Sequence, residues 1–185
     1  VISCLGDAEG KGAGGFAVLD ARTFELKGRW ENGGKTPPFN YDFWYQPRKN
    51  TLLSSEFGEP NAYEPGFDPA DVEAGRYGHR IHFWDLEART LDQTVDLGEK
   101  GLLPFEVRWL HDPDAEEGFV GAALSSVMWH FHREHVLGRE PRAHLGQLQH
   151  RPREETGTGQ QNHRYGDLRH DEAAAKPRAV VAAAR

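Results

Sequence analysis

The sequence predicts an all-β fold: a partial β-propeller of about two and a half four-stranded blades, followed by a disordered or weakly helical C-terminal tail. Through residues 1–132 the apolar positions alternate with a period near two, in short segments bounded by Gly, Pro, Asn and Asp. These segments recur at the spacing of a four-stranded blade. All 10 Phe and all 5 Trp lie in the same range, so the aromatic core is expected there.

Three segments at the start of the chain predict a meander of antiparallel strands, the end of a first blade. They cover Val1–Leu5, Phe16–Leu19 and Glu25–Trp30. The glycine-rich loop Gly10–Gly15 separates the first two. Such a loop binds phosphate when a helix N-terminus follows it, but here a strand follows. The sequence therefore favours a hairpin connection over a phosphate loop.

After the Gly/Pro-rich stretch at residues 33–38, a second group of segments shows the same alternation of apolar residues. This group predicts one complete blade. Its four strands are Tyr41–Tyr45, Thr51–Phe57, Arg80–Trp84 and Thr90–Leu97. A long loop, Gly58–Gly78, separates the second strand from the third.

A third group repeats the order and predicts most of another blade, with strands at Phe105–Leu110, Gly118–Leu124 and Val127–Phe131. The second and third groups align with each other, because Trp44–Pro47 corresponds to Leu110–Pro113 at an offset of 66 residues. Removing the long loop brings the period to about 45 residues, the length of one propeller blade. This period favours a repeat array of meanders over a β-sandwich.

The last 53 residues differ in composition from the rest of the chain. Residues 133–185 hold 10 Lys and Arg against 7 Asp and Glu, with Tyr165 as the one Phe, Trp or Tyr. Such a composition buries too little apolar area to offset chain entropy. Helical preference is confined to Asp171–Lys176, where Asp171 can cap an alanine run that Pro177 ends. The sequence thus predicts a partial propeller over 1–132 and a low-complexity tail over 133–185.

Composition excludes several classes of function. The net charge is −7, and residues 1–132 hold 12 Lys and Arg against 22 Asp and Glu, which argues against a nucleic-acid binder. No apolar run approaches the ~20 residues that span a bilayer. The single cysteine, Cys4, forms no internal disulfide and fits a reducing compartment. Because the chain begins with Val1 inside an apolar run, we expect it to be a fragment that lacks its true N-terminus.

Histidines near the end of the third group are candidate metal ligands. His130 and His132 alternate on one strand and share a face, and His135 follows shortly after. Two imidazoles at this spacing can ligate one metal ion, but side chains that simply face solvent are the favoured interpretation. His79 and His82 fall on opposite faces of a strand, so joint ligation is not expected.

His111 and Cys4 are the remaining candidates for chemistry. His111 follows the first strand of a blade and shares a face with Phe105, Val107 and Trp109. First strands line the channel of a propeller, so His111 could be a metal ligand or a general acid/base, against the favoured alternative of a histidine bonded to its own turn. Cys4 could be a sulfur or selenium nucleophile, but its apolar strand favours an inert thiol.

Several motifs within residues 1–132 resemble the selenium-binding protein / methanethiol oxidase family. The most specific is the run Tyr41–Arg48. The others are Leu5–Asp7, Gly14–Phe16, Gly66–Phe67, Asp71–Gly75, Tyr77–Gly78, Gly101–Pro104, Leu110–Pro113, Gly118–Gly121 and Ala123–Ser126.

The resemblance implies a multi-bladed propeller that binds selenium and, when intact, oxidises methanethiol with O₂ and water to formaldehyde, H₂O₂ and H₂S. Copper is the implied cofactor, and the implied partner is a small thiol or selenium compound, with no nucleic acid and no membrane span. Of the family's histidines near the channel only His111 carries over. The implied compartment is the cytoplasm, or the periplasm in a bacterium.

The catalytic and selenium-binding residues are not identified by the resemblance. The implied metal and selenium positions lie mostly outside this chain. A fragment of an open ring exposes strand edges, so we expect this chain alone to be inactive. The alternative is a non-catalytic selenium-binding or protein-interaction fragment of a propeller.

Overall fold

Antiparallel sheets follow one another along the chain. The computed structural model describes residues 1–11, 14–34, 36–134, 142–147 and 183–184. The first sheet has the order β1 (Ile2–Cys4), β2 (Gly15–Leu19) and β3 (Leu26–Arg29). The antiparallel pairing of β1 with β2 confirms the predicted hairpin.

The second sheet contains four strands in sequence order. They are β4 (Asn40–Gln46), β5 (Thr51–Glu56), β6 (Arg80–Asp85) and β7 (Thr90–Asp96). A short 3-10 helix, Pro47–Lys49, joins the first two, and its turn closes at Asn50, whose φ of 48° lies in the left-handed region that Asn tolerates.

The long loop between β5 and β6 carries two short helices that alternation did not predict. They are α1 (Pro60–Tyr63) and α2 (Pro69–Glu73). Each has proline in its first turn, and Asp68 caps the second by accepting from the Ala70 N–H at 2.9 Å.

The third sheet begins with β8 (Pro104–Trp109), preceded by a 3-10 helix at Gly98–Gly101. It continues through β9 (Glu117–Ala122), β10 (Val127–Glu134) and β11 (Arg142–Gln147), and β12 (Ala183–Ala184) also pairs with β10. All ten strands predicted within residues 1–132 are confirmed, with bounds that differ by three residues or fewer.

The predicted disordered or weakly helical tail over 133–185 contains strand residues that the sequence did not predict. The strand β10 runs on to Glu134, and β11 pairs with it antiparallel, with His132 opposite His144. The physical reason is that the free edge of β10 supplies backbone hydrogen bonds, so a fourth strand forms there without aromatic residues of its own. The predicted helix at Asp171–Lys176 lies outside the described residues. The division of the chain into domains near residue 132 stays a prediction.

Two apolar clusters hold the sheets against each other. One joins the second and third sheets and includes Leu53, Val107 and Phe131, each with no exposed surface. The other joins the first and second sheets through Phe16 and Trp84. Burying each such side chain is worth roughly 1.5–3 kcal/mol. This packing places the ends of β4 and β8 side by side.

Candidate functional site

A cleft of about 270 Å³ lies where β4 and β8 end. Most of its wall is aromatic, proline or leucine side chain, from Trp44, Tyr45, Pro47, Trp109, Leu110 and Pro113. Three polar residues complete the lining: Gln46, Arg48 and His111. The cleft is therefore built from the two segments that the sequence repeat aligns, Trp44–Pro47 and Leu110–Pro113.

A set of polar contacts holds the two turns of the cleft together. The Gln46 side-chain Nε2 donates to the Ala115 carbonyl at 2.7 Å. Next to it, Arg48 Nη1 lies 3.0 Å from Asp114 Oδ2, and Lys49 Nζ donates to Glu116 at 2.9 Å. The turn after β4 is thus fixed to the loop before β9, and this fixes the width of the cleft.

The Trp44 wall of the cleft is backed by an arginine. The Arg108 guanidinium carbon lies 4.8 Å from the centre of the Trp44 ring, a cation–π contact. Arg108 also pairs with Asp42, and its Nη2 lies 2.6 Å from Glu106. Because Asp42 accepts from the Val107 N–H at 2.9 Å, it ties the two first strands to each other.

Two polar atoms of the lining residues are buried without a hydrogen-bond partner among the described residues. They are the Gln46 carbonyl oxygen Oε1 and the Trp109 indole Nε1. Leaving a buried polar group unpartnered costs about 1–3 kcal/mol. The Trp109 indole N–H is therefore buried without an acceptor among the described residues, while the Gln46 amide nitrogen donates to Ala115.

An aromatic group lies at the opposite end of the same two strands. The ring centres of Tyr41 and Phe105 are 5.1 Å apart, and those of Tyr41 and Phe57 are 4.7 Å apart. Burial raises the pKa of the Tyr41 hydroxyl, and the carboxylates of Glu106 and Asp42 raise it further. Tyr41 is therefore a neutral hydrogen-bonding group near pH 7 and takes no part in the cleft.

His111 lines the cleft, but as an exposed residue of the turn beyond β8. The buried face that includes Val107 and Trp109 ends with the strand, and His111 lies beyond it, so that its place on this face stays a prediction. Within the described ranges, no three His, Cys, Asp or Glu side chains come together in a way that could hold a metal ion. The described residues therefore do not fit a complete copper site, and His111 alone stays a predicted ligand.

The two candidate histidines on β10 lie on the same face of the strand, as the alternation of strand residues predicts. His130 and His132 lie on one face of β10, with ring centres 6.4 Å apart. Both are half-buried rather than solvent-facing, and His130 Nε2 lies 3.0 Å from a Glu117 oxygen. His135 lies outside the described residues.

His79 and His82 have separate side-chain partners, as their opposite faces predict. His79 Nδ1 lies 2.7 Å from Asp96, near the surface. His82 is buried, with Nε2 3.1 Å from Glu56 and Nδ1 3.0 Å from the Thr94 hydroxyl. This second pair is structural, because it lies between the first two sheets, away from the cleft.

Cys4 and the glycine-rich loop supply no site among the described residues. Cys4 is a half-buried free thiol on β1, opposite Gly15. The loop is closed on itself by Asp7, whose side chain accepts from the Lys11 N–H at 2.7 Å. Gly12 and Ala13 lie outside the described residues.

No helix of the described part is long and apolar enough to cross a membrane.

Sequence reasoning identified His111 but missed the residues that form the cleft wall. Trp44, Gln46 and Arg48 lie in the run Tyr41–Arg48, which already stood out as a specific motif. The available signal was the alignment of Trp44–Pro47 with Leu110–Pro113, since equivalent positions of adjacent repeats lie side by side.

Repeated antiparallel sheets with an aromatic cleft between their first strands define an all-β repeat protein. A sequence profile of the family described as 56kDa selenium binding protein (SBP56) matches residues 1–144. The chain belongs to this family.

Individual relatives agree with the profile. The chain is 55% identical to a methanethiol oxidase of Danio rerio over 133 residues, which is 72% of this chain and 29% of that protein. It is 52% identical to a methanethiol oxidase of Homo sapiens, covering 72% of this chain and 28% of that protein. The chain thus spans less than a third of the length of these relatives.

A solved structure is also similar. The X-ray structure of a hypothetical selenium-binding protein from Sulfolobus tokodaii matches with a TM-score of 0.63 and 35% identity. The match covers 78% of this chain and 32% of that one.

Proposed function

We propose that this chain is part of a selenium-binding propeller whose complete form oxidises methanethiol, and that the cleft binds the small thiol or selenium compound. The observation that carries the proposal is the position of the cleft. It is lined by Trp44–Arg48, the second half of the motif Tyr41–Arg48, and by three residues of Leu110–Pro113, and the family resemblance depends on both segments.

The chemistry of the wall supports a sulfur or selenium ligand. Polarisable sulfur makes favourable contacts with aromatic rings, worth about 0.3–1.5 kcal/mol each. Trp44, Tyr45 and Trp109 supply three such rings in one cleft. The cleft is small for a ligand pocket, since drug-sized ligands occupy roughly 300–1,000 Å³. A one-carbon thiol fits within that volume with space to spare, so the size admits this ligand but does not select it.

The propeller part of the proposal is supported by the order of the sheets. Each sheet is a meander in sequence order, and the first strand of the third sheet contacts the first strand of the second. First strands that lie together around an axis are what a propeller requires.

Oxidation of methanethiol is proposed for the whole protein. Copper would supply the electron transfer between thiol and dioxygen when it is bound. The described residues do not assemble a site for it, so no step is derived through the metal. The role that this chain can perform is to bind the thiol against aromatic rings and to present the His111 imidazole at the mouth of the cleft.

Nuclear magnetic resonance of the tryptophan indoles tests binding. The chain has five tryptophans, and each indole N–H gives its own resonance. Titration with methanethiol is expected to shift the resonances of Trp44 and Trp109. Those of Trp30 and Trp84, buried between the first and second sheets, serve as internal controls and should stay. Uniform shifts of all resonances, or none, would contradict a thiol site in this cleft.

Binding without turnover is the second candidate function. It is favoured by the single histidine at the cleft, since within the described residues no further metal-ligating side chains gather there. Peroxide release on addition of methanethiol and O₂, with copper supplied, separates the two. We expect no peroxide from this chain alone; peroxide release would show that it carries a complete oxidase site.

A further inference from the structure

We propose that two copies of this chain associate head to tail, with an open face of the third sheet in one copy packed against an open face of the first sheet in the other. The open face of the third sheet consists of Phe119, Met128 and His130, and that of the first sheet of Ile2, Ala17, Leu19 and Leu26. Two such contacts close a ring. This inference goes beyond the proposed function, because it depends on how the sheets pack and not on the ligand of the cleft.

The second and third sheets align strand for strand, which identifies the counterparts of the open face on the third sheet. Strands β5 and β9 begin 66 residues apart and have the same length, so Leu53 corresponds to Phe119. Leu53 lies opposite Phe83 in its ladder, and Phe119 lies opposite His130. Phe83 therefore corresponds to His130. By the same register, the residue two positions before Phe83 corresponds to the residue two positions before His130, which is Met128.

The counterparts are buried, whereas the open face is not. In the second sheet Leu53 and Ile81 have no exposed surface and Phe83 is almost fully buried, because these residues pack against the third sheet. On the third sheet Met128 is 44% exposed, and the other two members of the open face are half-buried and contact each other. The third sheet thus repeats a packing surface without a sheet upon it in the described part of the chain.

A groove of about 460 Å³ lies beside this open face. Its lining is mostly apolar and includes Phe105, Val127 and Met128, with Glu106 and Ser126 as its polar residues. The third sheet therefore offers a hollow as well as exposed apolar side chains. Both are features of a surface that packs against another one.

The first sheet carries the complementary open face. On β2, Phe16 and Val18 pack against the second sheet. The residues that alternate with them on this strand therefore point away from the second sheet. Ile2 and Leu26 lie opposite those residues in the ladders of β1 and β3, and they are 53% and 70% exposed. This face is apolar at each of its four positions.

The occupant follows from the packing that the chain already contains. Phe16 on β2 meets Trp84 on β6, with ring centres 5.4 Å apart. Phe83, also on β6, meets Phe131 on β10, with ring centres 5.7 Å apart. The series β2 to β6 to β10 uses the same two faces of each sheet. Its next member joins the open face of β10 to a further β2, and a second copy presents that strand with its apolar face open.

The number of sheets favours a closed dimer over a filament. Head-to-tail contacts form a ring when the rotation between copies closes, and a filament when it does not. Propellers close with about four to eight sheets. Each chain has three sheets, so two copies supply six. Two contacts then remove both open faces of each copy from water.

The mass of the full 185-residue chain in solution tests the proposal. Size-exclusion chromatography with light scattering, over a wide range of micromolar concentrations, is expected to give twice the 20.8 kDa mass of one chain. A mass of 20.8 kDa at the highest concentration would overturn the proposal and leave the open faces to sheets from elsewhere in a complete propeller. Species of three or more copies that grow with concentration would overturn the closed ring.

A lysine on either open face should dissociate the dimer. Met128→Lys and Ile2→Lys each place a charge in an apolar contact, and both side chains are exposed enough in one copy for the fold to be kept. The ring contains the contact twice, so we expect the dissociation constant to rise about a hundredfold, from about tenfold for each contact. Met128→Leu conserves the apolar volume and should keep the dimer. Phe67→Lys, at an exposed residue of the loop between β5 and β6, is the control on the second sheet and should also keep it.

The variants also test the arrangement of the two copies. Dissociation by Met128→Lys but not by Ile2→Lys would indicate contact between two identical faces, and it would overturn the head-to-tail order. Dissociation by Phe67→Lys to the same extent would mean that the association is non-specific, which overturns the proposal as well. The indole titration with methanethiol is independent of these results: a monomeric chain can still bind the thiol, and a dimeric chain can fail to.

Discussion

The two faces of strand β5 pack against different neighbouring sheets through different kinds of contact. On one face Leu53 packs with Ile81, Phe83 and Val107 in an apolar cluster shared with the third sheet. Each face of the strand carries one leucine and two polar residues, Thr51 and Ser55 on the first face and Ser54 and Glu56 on the second, but only the second face, which meets the first sheet, carries a buried carboxylate. Both faces are buried, so the difference lies in chemistry rather than in exposure.

The polar face is organised around one carboxylate. One oxygen of Glu56 lies 3.1 Å from His82 Nε2, and the other accepts from the His79 backbone N–H at 3.2 Å. The first sheet joins through Asn40, opposite Glu56 in the ladder, whose Nδ2 donates to the Gly15 carbonyl at 3.0 Å. Such partners are satisfied in only one register of the strands.

The largest effect is expected from the apolar face. Phe131 is fully buried, and its ring centre lies 4.9 Å from that of Trp109 and 5.7 Å from that of Phe83. Replacing Phe131 with alanine should lower the free energy of unfolding by about 3–5 kcal/mol, because a cavity remains. Urea denaturation measures the change. Phe24→Ala, at a residue that is 74% exposed, is the matched control, and equal losses would contradict the assigned core.

A smaller loss is expected from the polar face. Glu56→Gln keeps the shape of the side chain but replaces one acceptor oxygen with a donor, so one contact to His82 or to the His79 N–H is lost. We expect the free energy of unfolding to fall by about 1–3 kcal/mol. Glu87→Gln, at an exposed carboxylate, provides the comparison and should be neutral. A Glu56→Gln loss no larger than this control would mean that the buried carboxylate adds nothing.

Two adjacent serines, one on each face of β5, allow the most direct comparison of the two faces. Ser54, on the polar face, accepts from the Trp84 indole N–H at 3.0 Å. Ser55, on the apolar face, has a buried hydroxyl without a partner in the described part of the chain. Ser54→Ala should cost about 1–3 kcal/mol, whereas Ser55→Ala should be neutral or stabilising, because it removes an unpartnered hydroxyl. Thermal denaturation measures the change in melting temperature for each variant. Two changes of the same sign and size would refute the assignment of the serines to different faces.

Much of the fold follows from the sequence because strands that bury only one face have a period of two. The alternation at Pro104–Trp109 and at Glu117–Ala122 is local, so it predicts strands without knowledge of their partners. The strand Arg142–Gln147 was missed because its pairing with β10, rather than its composition, specifies it. Local pattern therefore predicts where strands lie, but not which free edge recruits a further strand.

The cleft could be predicted only in part for the same reason. His111 was identified from its place after a first strand, and its role as a ligand stays a prediction. Trp44 and Arg108 are 64 residues apart, and their contact depends on how the second and third sheets pack. The pairing of Glu56 with His82 likewise spans the long loop and depends on the register of β5 with β6. Such contacts have no local signature in the sequence.

The smallest effect is expected from the second histidine–carboxylate pair of the same sheet, His79 with Asp96. Although burial opposes it, hydrogen bonds from the Gly98 N–H and from His79 hold the pKa of Asp96 below its ordinary value. A lowered folded-state pKa gives stability that is present above the unfolded-state value, near 3.9, and is lost as the pH falls through the folded-state value.

The carboxylate of Asp96 is more than half exposed, so Asp96→Asn should cost less than about 1 kcal/mol near pH 7. The difference from the unchanged chain should vanish below the pKa of the folded state, because Asp96 is then protonated in both states. Denaturation at pH 7 and at successively lower pH values measures this. A loss near pH 7 as large as that of Glu56→Gln would mean that burial does not distinguish the two pairs, since His82 and Glu56 are almost fully buried while Asp96 is not.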